Sequence, residues 1–238
     1  MSCKIKICAI ILARGGSKSI PHKNIKPIGN SNCLSLTIRS LLNVLDLDQI
    51  IVSSDSEEIL EIARKQKVLT LKRPFHLSTD EASSEDAWLH AINYLREISK
   101  LPEIIIAPQV TSPLRYRNTF KDALKLFEND NLDSLFSATE ISSHSFEWSL
   151  TEKKPFPINY DPYKNRKRRQ DNHQITKIRE NGSFFIFKTK GFLNSENRMF
   201  GKIGYFLQDK LESIEIDEIN DWIIAESVLN FKKELFIY

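Results

Sequence analysis

From Lys4 to Thr139 the chain alternates short apolar runs with longer amphipathic ones, and few folds accept that rhythm. KIKICAIILA (Lys4–Ala13) ends almost wholly apolar, as a strand buried on both faces does. LSLTIRSLLNVL (Leu34–Leu45) repeats leucine and isoleucine at helical spacing. QIIVSS (Gln49–Ser54) predicts a second strand. SEEILEIARKQ (Ser56–Gln66) predicts a helix with Ser56 as N-cap, acids in its first turn and bases in its last. A strand over Lys67–Lys72, a helix over Ser84–Ile98, a strand over Glu103–Ala107, a helix over Asn118–Asn129 and a strand over Ser134–Thr139 follow. The pattern predicts an α/β fold: a Rossmann-like, doubly wound, mainly parallel sheet with helices on both faces.

The rhythm breaks near Glu140. From Ser142 to Lys177 the chain is polar, contains proline and carries the basic run KNRKRR (Lys164–Arg169), which reads as an excursion from the main sheet. FFIF (Phe184–Phe187) resumes strand character, SIEID (Ser213–Asp217) gives a short strand, and INDWIIAESVLNF (Ile219–Phe231) a closing amphipathic helix. The expected organisation is one domain over residues 1–238 with residues 142–177 inserted in it.

The net charge of +3 is too small to argue for nucleic acid but is compatible with a polyanionic small substrate. Arginines that neutralise a carboxylate and a triphosphate explain KNRKRR, and no aromatic stacking pattern accompanies it, so nucleic-acid binding is not expected. Cys3, Cys8 and Cys33 form no CxxC pair, which suits a reducing compartment rather than a disulfide framework or zinc site. The apolar run Ile7–Ala13 is too short for a secretory signal, and no stretch approaches the roughly 20 apolar residues that span a bilayer. A cytoplasmic protein without membrane association is the expectation.

The loop after the first strand, ARGGSKSIPHKN (Ala13–Asn24), is where chemistry concentrates. Two glycines allow a tight turn and close approach to a ligand. Arg14, Lys18 and Lys23 supply cations, and Ser17 and Asn24 supply hydrogen-bonding groups. Cations and backbone N–H groups converging at the carboxyl end of a parallel strand suit a triphosphate. The loop fits neither GxxxxGK[ST] nor GxGxxG.

ARGGSKSIPHKN resembles the signature loop of the acylneuraminate cytidylyltransferases, the CMP-sialic acid synthetases. VSSD (Val52–Asp55) is similar to the end of that family's second strand, and RPFHLSTDEASSEDAWLHAI (Arg73–Ile92) to the segment bordering its cytosine site. QVTSPLR (Gln109–Arg115), RRQD (Arg168–Asp171), ENGSFFIF (Glu180–Phe187) and IEIDEINDW (Ile214–Trp222) resemble further family motifs in order along almost the whole chain. Val110 stands where the family has the proline of QPTSPLR, and Glu215 where it has aspartate.

The resemblance implies the fold of the nucleotide-diphospho-sugar transferases with residues 142–177 as a small dimerisation arm, and hence a homodimer. It implies transfer of CMP from CTP to a nine-carbon, sialic-acid-like 2-keto-3-deoxy sugar acid. Arg14, Gly15, Gly16, Ser17, Lys18 and Asn24 would bind CTP, with Arg73 and Ser84 lining its base and ribose side. Gln109, Thr111, Ser112 and Arg115 would lie between nucleotide and sugar, and Arg169, Phe184 and Phe185 would face the sugar. Glu215 and Asp217 would hold Mg2+; residues two apart in a strand share a face, and oxygen ligands suit that ion. Lys18, Arg14 and Asp217 would be the catalytic residues. The residues leave open legionaminic, pseudaminic or eight-carbon octulosonic acids as the acceptor, another nucleobase, and a non-catalytic nucleotide-binding protein.

Overall fold

The computed structural model of the chain describes residues 6–42, 44, 49–141, 147–151, 153–165, 177–231 and 236. The chain runs β1 (Ile7–Leu12), β2 (Pro27–Ile28), β3 (Ser31–Asn32), α1 (Cys33–Leu41), β4 (Gln49–Ser54), α2 (Glu57–Lys65), β5 (Leu69–Lys72), α3 (Ser84–Glu97) and β6 (Ile104–Pro108). It continues with α4 (Thr119–Asn129), β7 (Ser134–Ile141), β8 (Trp148–Thr151), β9 (Lys154–Pro157), β10 (Lys177–Lys188), α5 (Thr189–Ser195), β11 (Ile203–Gln208) and α6 (Ile219–Phe231).

Seven strands make one sheet in the order β11-β7-β10-β6-β1-β4-β5. The β6–β1, β1–β4, β4–β5 and β11–β7 pairs are parallel, and β10 runs antiparallel to both its neighbours. The expected mainly parallel, doubly wound sheet is therefore present, with one reversed strand inside it. Strand pleating splits each buried strand between two cores. Ile7, Ala9 and Ile11 of β1 join the core that α1, α2, α4 and α6 cover. Cys8 and Ile10 join the core under α3 and α5, where Trp88 packs edge-on against Phe185, Phe187 and Phe192.

Local signals set the helix starts. Asn32 caps α1, its side chain accepting from Ser35 N at 2.8 Å. Ser83 caps α3, accepting from Asp86 N at 3.0 Å. Ser56 sits at the N-cap of α2, but its side chain makes no capping hydrogen bond.

Three differences from the sequence pattern have physical causes. The segment Ser213–Asp217 forms no strand: its one backbone tie outside the segment's own turn is Ile216 N to Thr111 O at 2.8 Å, too little for a ladder. Helix α6 buries Trp222, Ala225 and Leu229 yet exposes Ile219, Ile223, Ile224 and Phe231 among its polar residues, so apolar side chains lie on its open side as well as its covered one. Periodicity gave no expectation for strand β11, which forms the far edge of the sheet beside β7, or for helix α5, which packs on β10. Within the Ser142–Lys177 excursion, β8 and β9 form a separate antiparallel hairpin that leaves Trp148, Leu150 and Phe156 exposed. Among the described residues no helix is long and apolar enough to cross a membrane.

Candidate active site

The strands that follow β1 in the chain build the sheet first to one side of it, through β4 and β5, and then to the other, through β6. The crevice at the carboxyl ends of strands around such a reversal is where open α/β sheets bind ligands. A cavity of about 510 Å³ lies there. Its walls come from the loop Ala13–Asn24, the segment Arg73–Ala87, the turn after β6 and Asp217.

The first loop is shaped by contacts of its own. Gly15 N–H donates to Asp55 Oδ1 at 2.9 Å, and a Cβ on Gly15 would lie 2.8 Å from Ser56 Cβ, closer than real Cβ atoms come. Gly16 meets nothing within 4 Å of where its Cβ would be and lines the cavity. Asn24 Nδ2 donates to Arg14 O at 2.9 Å, tying the end of the loop to its start. Ile20 plugs the loop into the core. Lys23, largely buried, donates to Ile216 O at 2.8 Å and lies 3.5 Å from Asp217 Oδ1.

Three further cations face the cavity with different company. Arg73 is 5% exposed, lines the cavity, and has no hydrogen-bond partner on Nε. Burial pulls its pKa down, against the opposing charge of Asp55. A buried guanidinium with an unfilled donor beside a cavity is a place where a ligand acceptor would be strongly favoured. Arg14 Nη1 donates to Asp80 Oδ1 at 2.8 Å and to Thr79 O at 3.2 Å, while Lys18 Nζ lies 2.5 Å from Asp80 Oδ2. Those hydrogen bonds, Lys18's first, hold the Asp80 carboxyl below its usual range.

On the turn after β6, Thr111 Oγ1 donates to Glu215 Oε1 at 3.1 Å. Burial first, then the charge of Asp217, pushes the Glu215 carboxyl up. Two carboxylates close enough to repel each other beside a cavity are the electrostatic setting a divalent cation relieves. Asp221 takes the start of α6 instead, its Oδ2 accepting from Asp217 N at 3.0 Å and Glu218 N at 2.8 Å, so the side chain of Asp217 is left to the cavity.

Of the residues singled out in the sequence, Arg14, Gly16, Ser17, Lys18, Asn24, Arg73, Ser84, Gln109, Thr111 and Asp217 line this cavity. Gly15 and Glu215 stand directly behind it, in contact with Asp55 and Thr111. The expected sugar-facing positions need correction. Phe184 and Phe185 are 0% and 2% exposed, and β10 sends one into each core. Arg115 is fully buried and spends its donors on Gln109 O, Ser183 O, Ser183 Oγ and Thr37 Oγ1. Ser112 is buried beneath the turn. Arg169 lies outside the described residues. Asp55 and Asp80 carry roles that sequence reasoning did not assign, although both stand inside the quoted motifs, at the ends of VSSD and RPFHLSTD.

Comparisons with known proteins agree with this geometry. A family model described as cytidylyltransferase matches residues 8–222. The chain is 33% identical over 96% of its length to an N-acylneuraminate cytidylyltransferase of Oncorhynchus mykiss, covering 51% of that protein. It is 30% identical over 97% of its length to a pseudaminic acid cytidylyltransferase of Campylobacter jejuni, covering 99% of it. The chain thus spans about half the length of the first of these relatives. In fold it is similar to a CMP:2-keto-3-deoxy-manno-octonic acid synthetase solved with CTP, with a TM-score of 0.69 at 12% identity over 97% of this chain and 100% of that one. With most of its length matched by the family model and two relatives at or above 30% identity, the chain belongs to the cytidylyltransferase family.

Proposed function

We propose that the protein transfers CMP from CTP to a 2-keto-3-deoxy sugar acid of the sialic-acid type, releasing pyrophosphate. The observation that carries the reading is the cavity itself. It lies at the chain reversal of a cytidylyltransferase-family sheet and gathers Arg14, Lys18, Arg73 and Asp217 in its lining.

The anomeric hydroxyl of the sugar acid attacks the α-phosphorus; the bond to the pyrophosphate oxygen breaks, and the hydroxyl proton leaves to solvent. Arg14 and Lys18 would neutralise the charge that grows on the departing pyrophosphate. Gly16 lets the backbone approach the phosphates closely. Arg73, short of an acceptor, would donate to the pyrimidine, with Ser84 beside it. Gln109 and Thr111, which line the cavity, would orient the acceptor sugar. Glu215 and Asp217 would hold Mg2+, which when bound stabilises charge on phosphate oxygens and lowers the pKa of an attacking hydroxyl. The protein would work as a cytoplasmic homodimer through the Ser142–Lys177 arm.

A second acceptor has a specific observation behind it. A relative of which this chain covers 99% is named for pseudaminic acid. Pyrophosphate release with Mg2+ and each of CTP, UTP, GTP and ATP, against sialic, legionaminic, pseudaminic and octulosonic acids, separates these readings. Turnover with CTP and one acid is expected. Binding of CTP without turnover on any acid would overturn the catalytic reading.

A further inference from the structure

One contact among the cavity's lining residues joins parts of the protein to one another through the groups best suited to an anionic ligand. Asp80 gives one carboxylate oxygen to Arg14, at 2.8 Å, and the other to Lys18, at 2.5 Å. All three side chains line the cavity. A carboxylate bridging two cations, one oxygen to each, takes up the same donors that a phosphate would take up.

Structural need does not account for the bridge. Lys18, Asp80 and Arg14 side chains are 84%, 41% and 40% exposed, and ion pairs in that setting add little to folding. The loop is already fixed without it, by Gly15 N–H on Asp55, Asn24 on Arg14 O, Lys23 on Ile216 O and Ile20 in the core. Removing the Asp80 charge therefore leaves the loop its shape and frees its two cations.

We propose that Asp80 is an internal stand-in for phosphate, pairing with Arg14 and Lys18 and yielding both to the nucleotide's phosphates. The assignment rests on the reading of this cavity as a CTP site. A triphosphate carries several negative charges to the one on Asp80, so it displaces the carboxylate readily. As pyrophosphate departs, the same carboxylate retakes the cations and competes against rebinding. Asp80 thus weakens phosphate affinity and speeds exchange; it is a positioning residue that acts through Arg14 and Lys18.

The test compares wild type with Asp80→Asn by calorimetry at low ionic strength, where exposed charges are least screened. The probes are CTP, inorganic pyrophosphate and cytidine. The variant is expected to bind CTP and pyrophosphate roughly two- to fivefold more tightly, the range an exposed ion pair spans. Cytidine, which carries no phosphate, should bind both proteins equally. Thermal unfolding of the two unliganded proteins should coincide. CTP and pyrophosphate affinities that are unchanged or weaker in the variant, beside normal CTP binding by wild type, overturn this role alone. Tightening that extends equally to cytidine also overturns it, since the effect would then not run through the phosphate-facing cations. Wild-type protein that binds no CTP defeats the cytidylyltransferase reading itself, and this role with it.

Discussion

Arg115 is the residue whose surroundings most change its meaning. It stands in a motif whose resemblance implies sugar contact, yet its guanidinium lies in the core. There Nη2 donates to Gln109 O and Ser183 O at 2.6 Å each, and its plane rests over the Phe120 ring. It ties the turn after β6 to β10 and α1. Arg115→Ala would strand those buried acceptors and should cost on the order of 3 kcal/mol of stability, read as a lower urea midpoint. Unchanged stability with a raised sugar KM would return Arg115 to the sugar site. Glu215 supports the opposite kind of prediction. Its folded pKa is raised, by burial first and then by Asp217, so ionisation is disfavoured in the folded chain. Its stability contribution is full below the ordinary glutamate range and lost as pH rises through the raised value. Glu215→Gln keeps an acceptor for Thr111 and removes the charge. Near neutral pH without Mg2+ the variant should melt above wild type. Mg2+ should then raise the melting temperature of wild type and leave that of the variant nearly unmoved; an equal rise in both would remove Glu215 from the metal site.

At the scale of elements, the placement of α3 decides whether Ser84 reaches the cavity. Ser83 caps the helix, and Glu85 in its first turn accepts from Nε and Nη2 of Arg198, at 2.6 and 2.9 Å. The Arg198 guanidinium also lies 4.7 Å from the centres of the Trp88 and Phe185 rings, so one side chain joins the start of α3 to β10. Burial alone raises the Glu85 carboxyl, but the hydrogen bonds and charge of Arg198 outweigh it and the net shift is downward. That contribution is present above the ordinary glutamate range and lost as pH falls through the depressed value. Arg198→Met should therefore lower stability by roughly 2 kcal/mol near neutral pH. The deficit should shrink on the acid side of the carboxylate range, where wild type loses the same charge. A deficit independent of pH in urea titrations would assign Arg198 to packing alone.

For the whole molecule, the open question is what the β8–β9 hairpin does. Among the described residues it pairs with itself as a two-stranded sheet and exposes Trp148, Leu150 and Phe156, with Leu150 at 76%. If the proposed homodimer uses this arm, Leu150→Glu should shift the mass in light scattering from dimer to monomer; a wild type that is already monomeric and fully active would overturn the dimer. The main sheet was legible because hydrophobic period is a local property. QIIVSS is strand β4 to the residue, and Ser84 begins α3 as its helical pattern requires. The phosphate-type loop was legible too, since glycines and cations crowd one stretch after β1. Period 2 also separates Phe184 from Phe185 onto opposite faces, but it does not say that helices cover both faces, and that cover is what removes them from the site. Nor does a pattern within one segment fix distances between segments. The pairing of Asp80 with Arg14 and Lys18, the inward turn of Arg115 onto Ser183 and the reversed β10 between β6 and β7 all join residues far apart in the chain. By itself, the sequence determined the layers, the order of most elements and the loop that meets the ligand, because those follow from neighbours along the chain. The tertiary structure alone decided which polar groups face the cavity and which are consumed in holding it, because burial and pairing depend on what the rest of the molecule places beside them.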